Sequence, residues 1–300
     1  MNRWIFLAAC WLFLAVGGWA QSTDTRTIVS VPVAPVFAQP GEASEQVTQV
    51  LFGDEVRVLN SQGGWVKVLV PLQHRTDQGY PGWMRVRFLE KLTSDAETKT
   101  VTVAYPVVAL RSEPSVEAPV VEKVFLSTRL PVDSEKLSEG EKWYQVSIVD
   151  DSLWVRASQV VVEKPLQPGQ GLTAVNLARR FEGTPYLWGG MTQKGIDCSG
   201  LMYTVFRTHG ITVPRDADQQ FQVGRAVEKD DLLPGDMVFF GQPGDISHVG
   251  MYAGDGNFVH ASSGAGVIES VLFQGWYLQH YRGARRVLEK SGPALRTLEP

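Results

Sequence analysis

The sequence predicts an α+β fold in which two small all-β units precede a larger unit that combines helices and strands. An imperfect repeat of short alternating strands fills the first half, and a linker containing proline and glycine, EKPLQPGQG, follows it. The last part begins with segments of helical periodicity and continues with strands. With 300 residues, the chain also exceeds the roughly 250 that a single core usually holds.

The N-terminal segment MNRWIFLAACWLFLAVGGWAQS is typical of a secretory signal peptide. Arg3 precedes an apolar run from Trp4 to Val16, and small residues favour cleavage after Ala20. We therefore predict a signal peptide over residues 1–20 and an exported protein, periplasmic or extracellular, that meets the membrane only transiently. Two alternatives stay open. One is an uncleaved anchor, although the apolar run is short for a membrane span, and the other is a lipoprotein modified at Cys10.

Charge does not indicate a nucleic-acid partner. The net charge is -4, and no basic run or basic helix stands out. Cysteine content is more informative, because removal of residues 1–20 leaves Cys198 as the single cysteine and excludes an internal disulfide. An unpaired thiol in an exported protein is either a buried apolar side chain or a reactive group.

Residues 36–86 and 110–157 form an imperfect repeat. GWVKVLV (64–70) aligns with KWYQVSI (142–148), and GWMRV (82–86) aligns with LWVRA (153–157), so each copy holds two tryptophan-centred strands. Their alternation and the turn segments between them predict two small antiparallel barrels, at residues 26–92 and 99–164. The pattern resembles the bacterial SH3-like domain that is often attached to cell-wall enzymes, although tryptophans of this kind are also common in barrel cores.

The third unit, predicted over residues 172–288, places Cys198 at the start of a helix; residues 289–300 are a tail. LTAVNLARRF (172–181) has helical spacing, and SGLMYTVFRTHG continues from Cys198 to a helix end at Gly210. The unpaired N–H groups and the dipole at a helix start favour an anion. We therefore expect a stabilised thiolate with a lowered pKa and N–H groups available to an oxyanion.

Two histidines follow in a predicted hairpin, GDISHVGMYAGDGNFVHASS. If Ala253-Gly254-Asp255 form a three-residue loop, His248 lies opposite His260 on one face. This arrangement suits nucleophilic catalysis, with His248 as the base for Cys198 and a neutral His260 as its orienting partner, so activity should fall below about pH 6. A Cys/His/His zinc site is a weaker alternative. The remaining histidines, His74, His209 and His280, are interpreted as surface or hydrogen-bonded residues.

These residues resemble a known family closely, the NlpC-type cell-wall cysteine peptidases with a papain-like α+β core. The motifs that carry the resemblance are GTPYLWGG (183–190), GIDCSGL (195–201), PRDADQQ (214–220), LLPGDMVFF (232–240), DISHVGMY (245–252) and FVHAS (258–262). They cover the third unit in the family's order and spacing. Two SH3-like domains ahead of such a unit resemble the subgroup that cleaves cell-wall peptides bearing a free N-terminal L-alanine.

The resemblance implies a role for each matching residue. Cys198 would be the nucleophile, His248 the base and His260 the third catalytic member. The implied substrate-binding residues are Tyr186, Trp188, Asp197, Ser199 and Asp216 of the catalytic unit, with Glu45 and Tyr80 of the first SH3-like domain. Asp197 would meet the substrate's ammonium group and also suits a helix N-cap.

The implied activity is a γ-D-glutamyl-L-diamino-acid endopeptidase, with meso-diaminopimelate or lysine in the third position. No metal or organic cofactor is implied, and the partners are peptidoglycan-derived peptides of the type L-Ala-γ-D-Glu-diamino acid. One departure is visible, since Ala217 stands where the subgroup more often has a serine. The alternatives are an amidase or endopeptidase that acts on intact peptidoglycan, and a wall-binding protein without activity.

Overall fold

The structure, a computed structural model, describes residues 25–93, 99–148, 151–162 and 166–288. The predicted signal peptide, Cys10 and the predicted tail lie outside the described residues. No helix in these four ranges is long and apolar enough to cross a membrane.

The first all-β unit is an antiparallel sheet in the order β3-β2-β6-β5-β4, beside which β1 pairs with β7. On β5, Val66, Val68 and Val70 enter the core and Lys67 is exposed, as the alternation predicts. The strands that the structure describes here are β1 (Thr25–Val29), β2 (Val33–Phe37), β3 (Gln46–Leu51), β4 (Arg57–Gln62), β5 (Trp65–Val70), β6 (Tyr80–Arg85) and β7 (Leu89–Thr93).

The second unit repeats this construction in an antiparallel sheet with the order β10-β9-β13-β12-β11-β8-β14. Its described strands are β8 (Thr100–Val103), β9 (Val107–Arg111), β10 (Val120–Phe125), β11 (Arg129–Ser138), β12 (Glu141–Ile148), β13 (Asp151–Arg156) and β14 (Val160–Val161). The repeat extends to strand register, because Trp65 faces Arg85 in the first unit and Trp143 faces Arg156 in the second.

The third unit packs helices against an antiparallel sheet in the order β17-β22-β18-β19-β20-β21, so the predicted α+β class is confirmed. Its described elements are α1 (Gly171–Arg179), β15 (Met191–Thr192), β16 (Gly195–Ile196), α2 (Cys198–Thr208), α3 (Ala217–Gln220), β17 (Arg225–Val227), β18 (Met237–Gln242), β19 (Asp245–Gly254), β20 (Asn257–Ser262), β21 (Gly266–Val271), α4 (Gly275–His280) and β22 (Tyr281–Arg286).

Helix α2 lies with its apolar side chains, including Leu201, Val205 and Phe206, in the main core against α1 and β19. The Asp197 side chain caps its first turn by accepting from the Gly200 N–H at 2.6 Å. The helix stops before Gly210, which has a φ of 69° and so adopts the left-handed conformation that ends many helices. Cys198 is therefore held at the first helical position, as predicted.

The hairpin of β19 and β20 has a different register from the expected one. Tyr252 pairs with Phe258 rather than Gly256, and the turn consists of Asp255 and Gly256, between Gly254 and Asn257. Both turn residues have positive φ, which a two-residue hairpin of this kind requires. The extra residue is absorbed by a register shift between Tyr252 and Gly254, so the predicted three-residue loop is wrong.

Candidate active site

Cys198 presents its thiol to the strand that carries His248. The side chain is buried, and the backbone N–H groups of Val249, on β19, and Ser199, on α2, point at the sulfur. Because His248 directly precedes Val249, the start of α2 and the strand β19 bring the nucleophile and the base close together.

The two histidines are in contact despite the altered register. Nε2 of His248 lies 2.9 Å from Nδ1 of His260, and their rings meet edge to face with centroids 4.9 Å apart. The predicted pair therefore forms diagonally across the hairpin. Since Nε2 of His248 is occupied by His260, Nδ1 of His248 is the nitrogen available to accept a proton from the thiol.

Burial controls the protonation states of this group. Burial, together with the smaller effect of the Asp197 carboxylate, raises the pKa of the Cys198 thiol to about 12. The two backbone N–H groups and the Arg215 guanidinium lower this pKa, but their effect is smaller. Burial also lowers the pKa of His248 to about 4. Both shifts favour a neutral thiol beside a neutral imidazole and run against the expected low-pKa thiolate, so we expect the thiolate to form as the proton moves to His248.

Few first-turn N–H groups remain for an oxyanion. The Ser199 N–H points at the sulfur, the Gly200 N–H bonds to the Asp197 side chain, and the Leu201 N–H bonds to the Asp197 carbonyl. Burial raises the pKa of the half-buried Tyr186 phenol, and a negative charge on the nearby Cys198 raises it further. Its hydroxyl makes no hydrogen bond within the described part of the chain, so it can serve as an oxyanion donor.

Asp197 is enclosed by donors from its own unit. Oδ1 accepts from Gly200 N–H at 2.6 Å and Nη1 of Arg215 at 3.0 Å, while Oδ2 accepts from Gly189 N–H and from Nη2 of Arg215, both at 2.7 Å. Ser199 Oγ adds a contact at 3.3 Å. The cap role of Asp197 is confirmed, whereas a contact with a substrate ammonium stays a prediction, because these donors already surround both oxygens.

Arg215, which the sequence reasoning did not single out, connects this site to the first all-β unit. It is only 1% exposed, and its Nε donates to Thr48 Oγ1 at 3.1 Å. Thr48 in turn donates to Gln73 Oε1 at 2.7 Å. The neighbouring Gln49 accepts from the Met191 N–H at 2.9 Å, beside the loop that carries Trp188. A buried polar network therefore joins the two units behind the nucleophile.

The remaining predicted residues meet across the same boundary in two pairs. Glu45 Oε1 accepts from the Trp188 indole N–H at 2.8 Å, and Trp188 is 57% exposed. Tyr80 donates its hydroxyl to Asp216 Oδ2 at 3.2 Å, and Nη1 of Arg75 lies 3.0 Å from the same oxygen. Burial raises the pKa of Asp216, although the positive charges of Arg215 and Arg75 lower it in part. The pKa of Tyr80 is also raised, mainly by burial and then by the charge of Asp216.

Sequence reasoning missed Arg215, Arg75, Ser270 and Tyr277, of which the last two contact His260. A signal existed for Arg215, since it is the cation within the PRDADQQ motif. The other three stand outside the motifs, and only the packing shows their contacts. In the described ranges, no group of three or more His, Cys, Asp or Glu residues is arranged to hold a metal ion.

Comparisons with known proteins agree with this geometry. Residues 183–286 match the NlpC/P60 family, and residues 32–90 match the bacterial SH3 domain. Gamma-D-glutamyl-L-lysine dipeptidyl-peptidase of Bacillus cereus is 36% identical over 261 residues, 82% of this chain and 76% of that protein. The Bacillus subtilis protein of the same name is 39% identical over 220 residues, 71% of each chain.

A solved structure extends the match to the arrangement of the units. The crystal structure of an NlpC/P60 family protein from Bacillus cereus has a TM-score of 0.76 and 30% identity, and covers 88% of this chain and 99% of that chain. The activity in the names of the two relatives is that of a cysteine peptidase, in keeping with the Cys198 and histidine arrangement. Sequence, fold and site together show that the chain belongs to the NlpC/P60 family of cell-wall cysteine peptidases.

Proposed function

We propose that the protein is an exported γ-D-glutamyl-L-diamino-acid endopeptidase that acts on cell-wall peptides with a free N-terminal L-alanine. The observation that carries the proposal is the acidic wall built jointly by two units. This wall consists of Glu45, which accepts from the Trp188 indole, and Asp216, which accepts from Tyr80. Arg215 connects the loop that carries Trp188 to the helix start that carries Cys198. The names of the two Bacillus relatives support the choice of bond.

The acidic wall suits an ammonium group. Asp216 is ionised only at some cost, because burial raises its pKa in spite of two nearby guanidinium groups. A substrate cation that enters beside it would relieve this cost, whereas an acetylated amine would not. Tyr80 holds one oxygen of the carboxylate, and Glu45 adds a second negative charge on the more exposed side.

The reaction follows from the protonation states. The Cys198 thiol transfers its proton to Nδ1 of His248 as the sulfur attacks the γ-carbonyl carbon of D-glutamate, and the Tyr186 hydroxyl donates to the oxyanion. The amide C–N bond then breaks, and the proton on His248 moves to the leaving amine of the diamino acid. Water, deprotonated by His248, hydrolyses the thioester and releases L-Ala-γ-D-Glu and the free thiol.

The decisive experiment compares L-Ala-γ-D-Glu-diaminopimelate with its N-acetylated form, using the mature protein and a Cys198→Ala control. We expect release of L-Ala-γ-D-Glu from the free peptide, little from the acetylated one and none with the control. Equal cleavage of both forms would overturn the amine requirement. Release of fragments from intact sacculi, seen by mass spectrometry without cleavage of the free peptide, would favour the intact-wall alternative.

Glu45 provides a sharper test of the amine site. Glu45→Gln keeps the acceptor for Trp188 but removes the charge, so kcat/KM for the free peptide should fall about 10-fold, the effect expected for a charged hydrogen bond. The small activity on acetylated peptide should not change. Glu42→Gln is the matched control, because Glu42 pairs with Arg85 on the surface and should affect neither substrate. An equal loss on both substrates with Glu45→Gln would contradict the assignment.

We further infer the export and the domain division from the sequence. The signal at residues 1–20 predicts a mature N-terminus at Gln21, which intact-mass measurement of the exported protein tests; retention of residues 1–20 would contradict it. Residues 26–92, 99–164 and 172–288 are proposed as two SH3-like domains and the catalytic domain. The shared tryptophan register supports the repeat.

A further inference from the structure

The His260 ring has a polar partner at each nitrogen. Nδ1 lies 2.9 Å from Nε2 of His248, and Nε2 lies 3.1 Å from Ser270 Oγ and 3.3 Å from the Tyr277 hydroxyl. The residue is fully buried. Ser270 comes from β21 and Tyr277 from α4, so two elements outside the catalytic motifs reach the far side of the predicted third catalytic residue.

We infer that Ser270 and Tyr277 are positioning residues that fix the orientation and the tautomer of His260. The inference rests on the proposed roles of Cys198, His248 and His260. In it, the hydroxyls of Ser270 and Tyr277 accept the Nε2 proton of His260, which leaves the Nδ1 lone pair for His248.

The direction of the hydrogen bonds follows from what the base must do. His248 can accept the thiol proton at Nδ1 only if its own proton is on Nε2, and that proton must then be donated to Nδ1 of His260. A neutral His260 with a lone pair on Nδ1 carries its proton on Nε2. This N–H is buried, and without an acceptor it would lose the hydrogen bond that water provides in the unfolded chain. The hydroxyls of Ser270 and Tyr277 meet that need.

Ring packing fixes the plane of the His260 imidazole, and the contacts at its two nitrogens select one of the two ring flips. Phe258 stacks on the imidazole with centroids 4.5 Å apart and planes 15° apart, and the Tyr277 ring meets it edge on at 5.2 Å. A half-turn of the imidazole would turn carbon atoms toward both His248 and the two hydroxyls. Ser270 and Tyr277 therefore complete a hydrogen-bonded chain that runs from the thiol through two imidazoles to two hydroxyl groups.

The test uses Ser270→Ala, Tyr277→Phe and the double variant. Each single change should lower kcat about 5-fold, the effect of one neutral hydrogen bond. The double variant should lose more, and KM should stay constant in all three, because the hydroxyls do not touch substrate. Ser270→Thr keeps the hydroxyl and should restore kcat. Tyr281→Phe is the matched control, since Tyr281 also packs against Phe240 but its hydroxyl makes no hydrogen bond to a described residue.

A ¹⁵N spectrum of the histidine side chains provides a readout that a structural role would not change. We expect the wild-type proton on Nε2 of His260 and a mixture of tautomers in the double variant. A wild-type proton on Nδ1, or full kcat in the double variant, would overturn the inference. Activity retained by Cys198→Ala or His248→Ala would instead refute the proposed catalytic residues, so the two failures are distinguishable.

Discussion

The carboxylate of Asp197 carries more hydrogen bonds than a helix cap needs. A cap accepts one or two backbone N–H groups, whereas Asp197 also receives both terminal nitrogens of a buried guanidinium. Its negative charge lies next to the nucleophile and adds to the larger effect of burial in raising the pKa of the Cys198 thiol. Arg215 offsets part of that charge and holds the carboxylate in place. One ion pair therefore caps the helix, balances the charge of Asp197 and contacts the first unit through Thr48.

The acid limit of kcat should lie well below pH 6. His248 works only when neutral, and burial lowers its pKa from 6.5 to about 4, so protonation begins to compete only as the pH falls toward that value. The measurement is kcat at saturating peptide between pH 3.5 and 8. Saturation matters because protonation of Asp216 would affect binding and therefore kcat/KM.

Circular dichroism at each pH is the control that separates titration from unfolding. A half-maximal kcat near pH 6.5 would contradict the lowered pKa of His248. It would instead agree with the acid limit near pH 6 that the sequence alone predicts. The difference arises because a sequence motif identifies an imidazole but does not tell how deeply the fold buries it.

Individual residues differed in how far the sequence revealed them. The helix start of Cys198 and the presence of His248 and His260 in one hairpin could be predicted, whereas the diagonal contact between the two histidines could not. Glu45 and Tyr80 came from the resemblance, since no local pattern connects them to a site formed by distant residues. Arg215 was visible as a cation in a motif, but its burial depends on Thr48 of another unit.

The sequence predicts the β19–β20 hairpin correctly but gives the wrong register for its two strands. The sequence holds Asp255-Gly256, the dipeptide that best fits a two-residue turn with positive φ at both positions. A three-residue loop explained the facing histidines more simply, because it needs no irregularity. The chain instead combines the two-residue turn with a shift near Ala253, which periodicity does not encode.

Gly250 is the residue of β19 that makes the histidine contact possible. An added Cβ there would lie 2.5 Å from Phe258 Cδ2 and 2.9 Å from the His260 Cβ. Gly250→Ala should therefore push β20 away, reduce the free energy of unfolding by about 1–3 kcal/mol through overpacking, and lower kcat by misplacing His260. Denaturant unfolding and steady-state kinetics measure the two effects.

Gly264→Ala is the matched control for this substitution, because an added Cβ at Gly264 meets no atom within 4 Å. It should leave both the free energy of unfolding and kcat unchanged. Equal behaviour of the two alanine variants would mean that β19 and β20 can separate without loss, and that the close approach at Gly250 does not hold His260.

A second buried ion pair, remote from the thiol, joins the first unit to the catalytic unit. Asp54 receives the guanidinium of Arg207 near the C-terminal end of α2, with Nη1 at 2.7 Å from Oδ2. Arg207 follows Cys198 by nine residues, or about 13 Å along the helix. Both ends of α2 are thus attached to the first unit, one through Arg215 and the other through Arg207.

Asp54→Asn should destabilise the molecule without changing the chemistry. The substitution leaves the Arg207 charge buried without its partner, for which we expect a loss of about 3 kcal/mol and a lower Tm. Below the transition, kcat/KM should stay within about twofold of wild type, less than a single hydrogen bond contributes. Glu42→Gln is again the control, because its exposed ion pair with Arg85 contributes little. An unchanged Tm for Asp54→Asn would show that the two units do not share their stability.

The contacts between the first unit and the catalytic unit also limit how the protein can be shortened. Glu45, Thr48 and Tyr80 lie in the first unit, whereas β22, which lies between β17 and β18 in the catalytic sheet, ends at Arg286. A fragment without the first unit loses the residues that contact Trp188 and Arg215, and a fragment without β22 loses a strand from inside the catalytic sheet. We therefore expect neither fragment to keep the arrangement around Cys198 that the longer chain has.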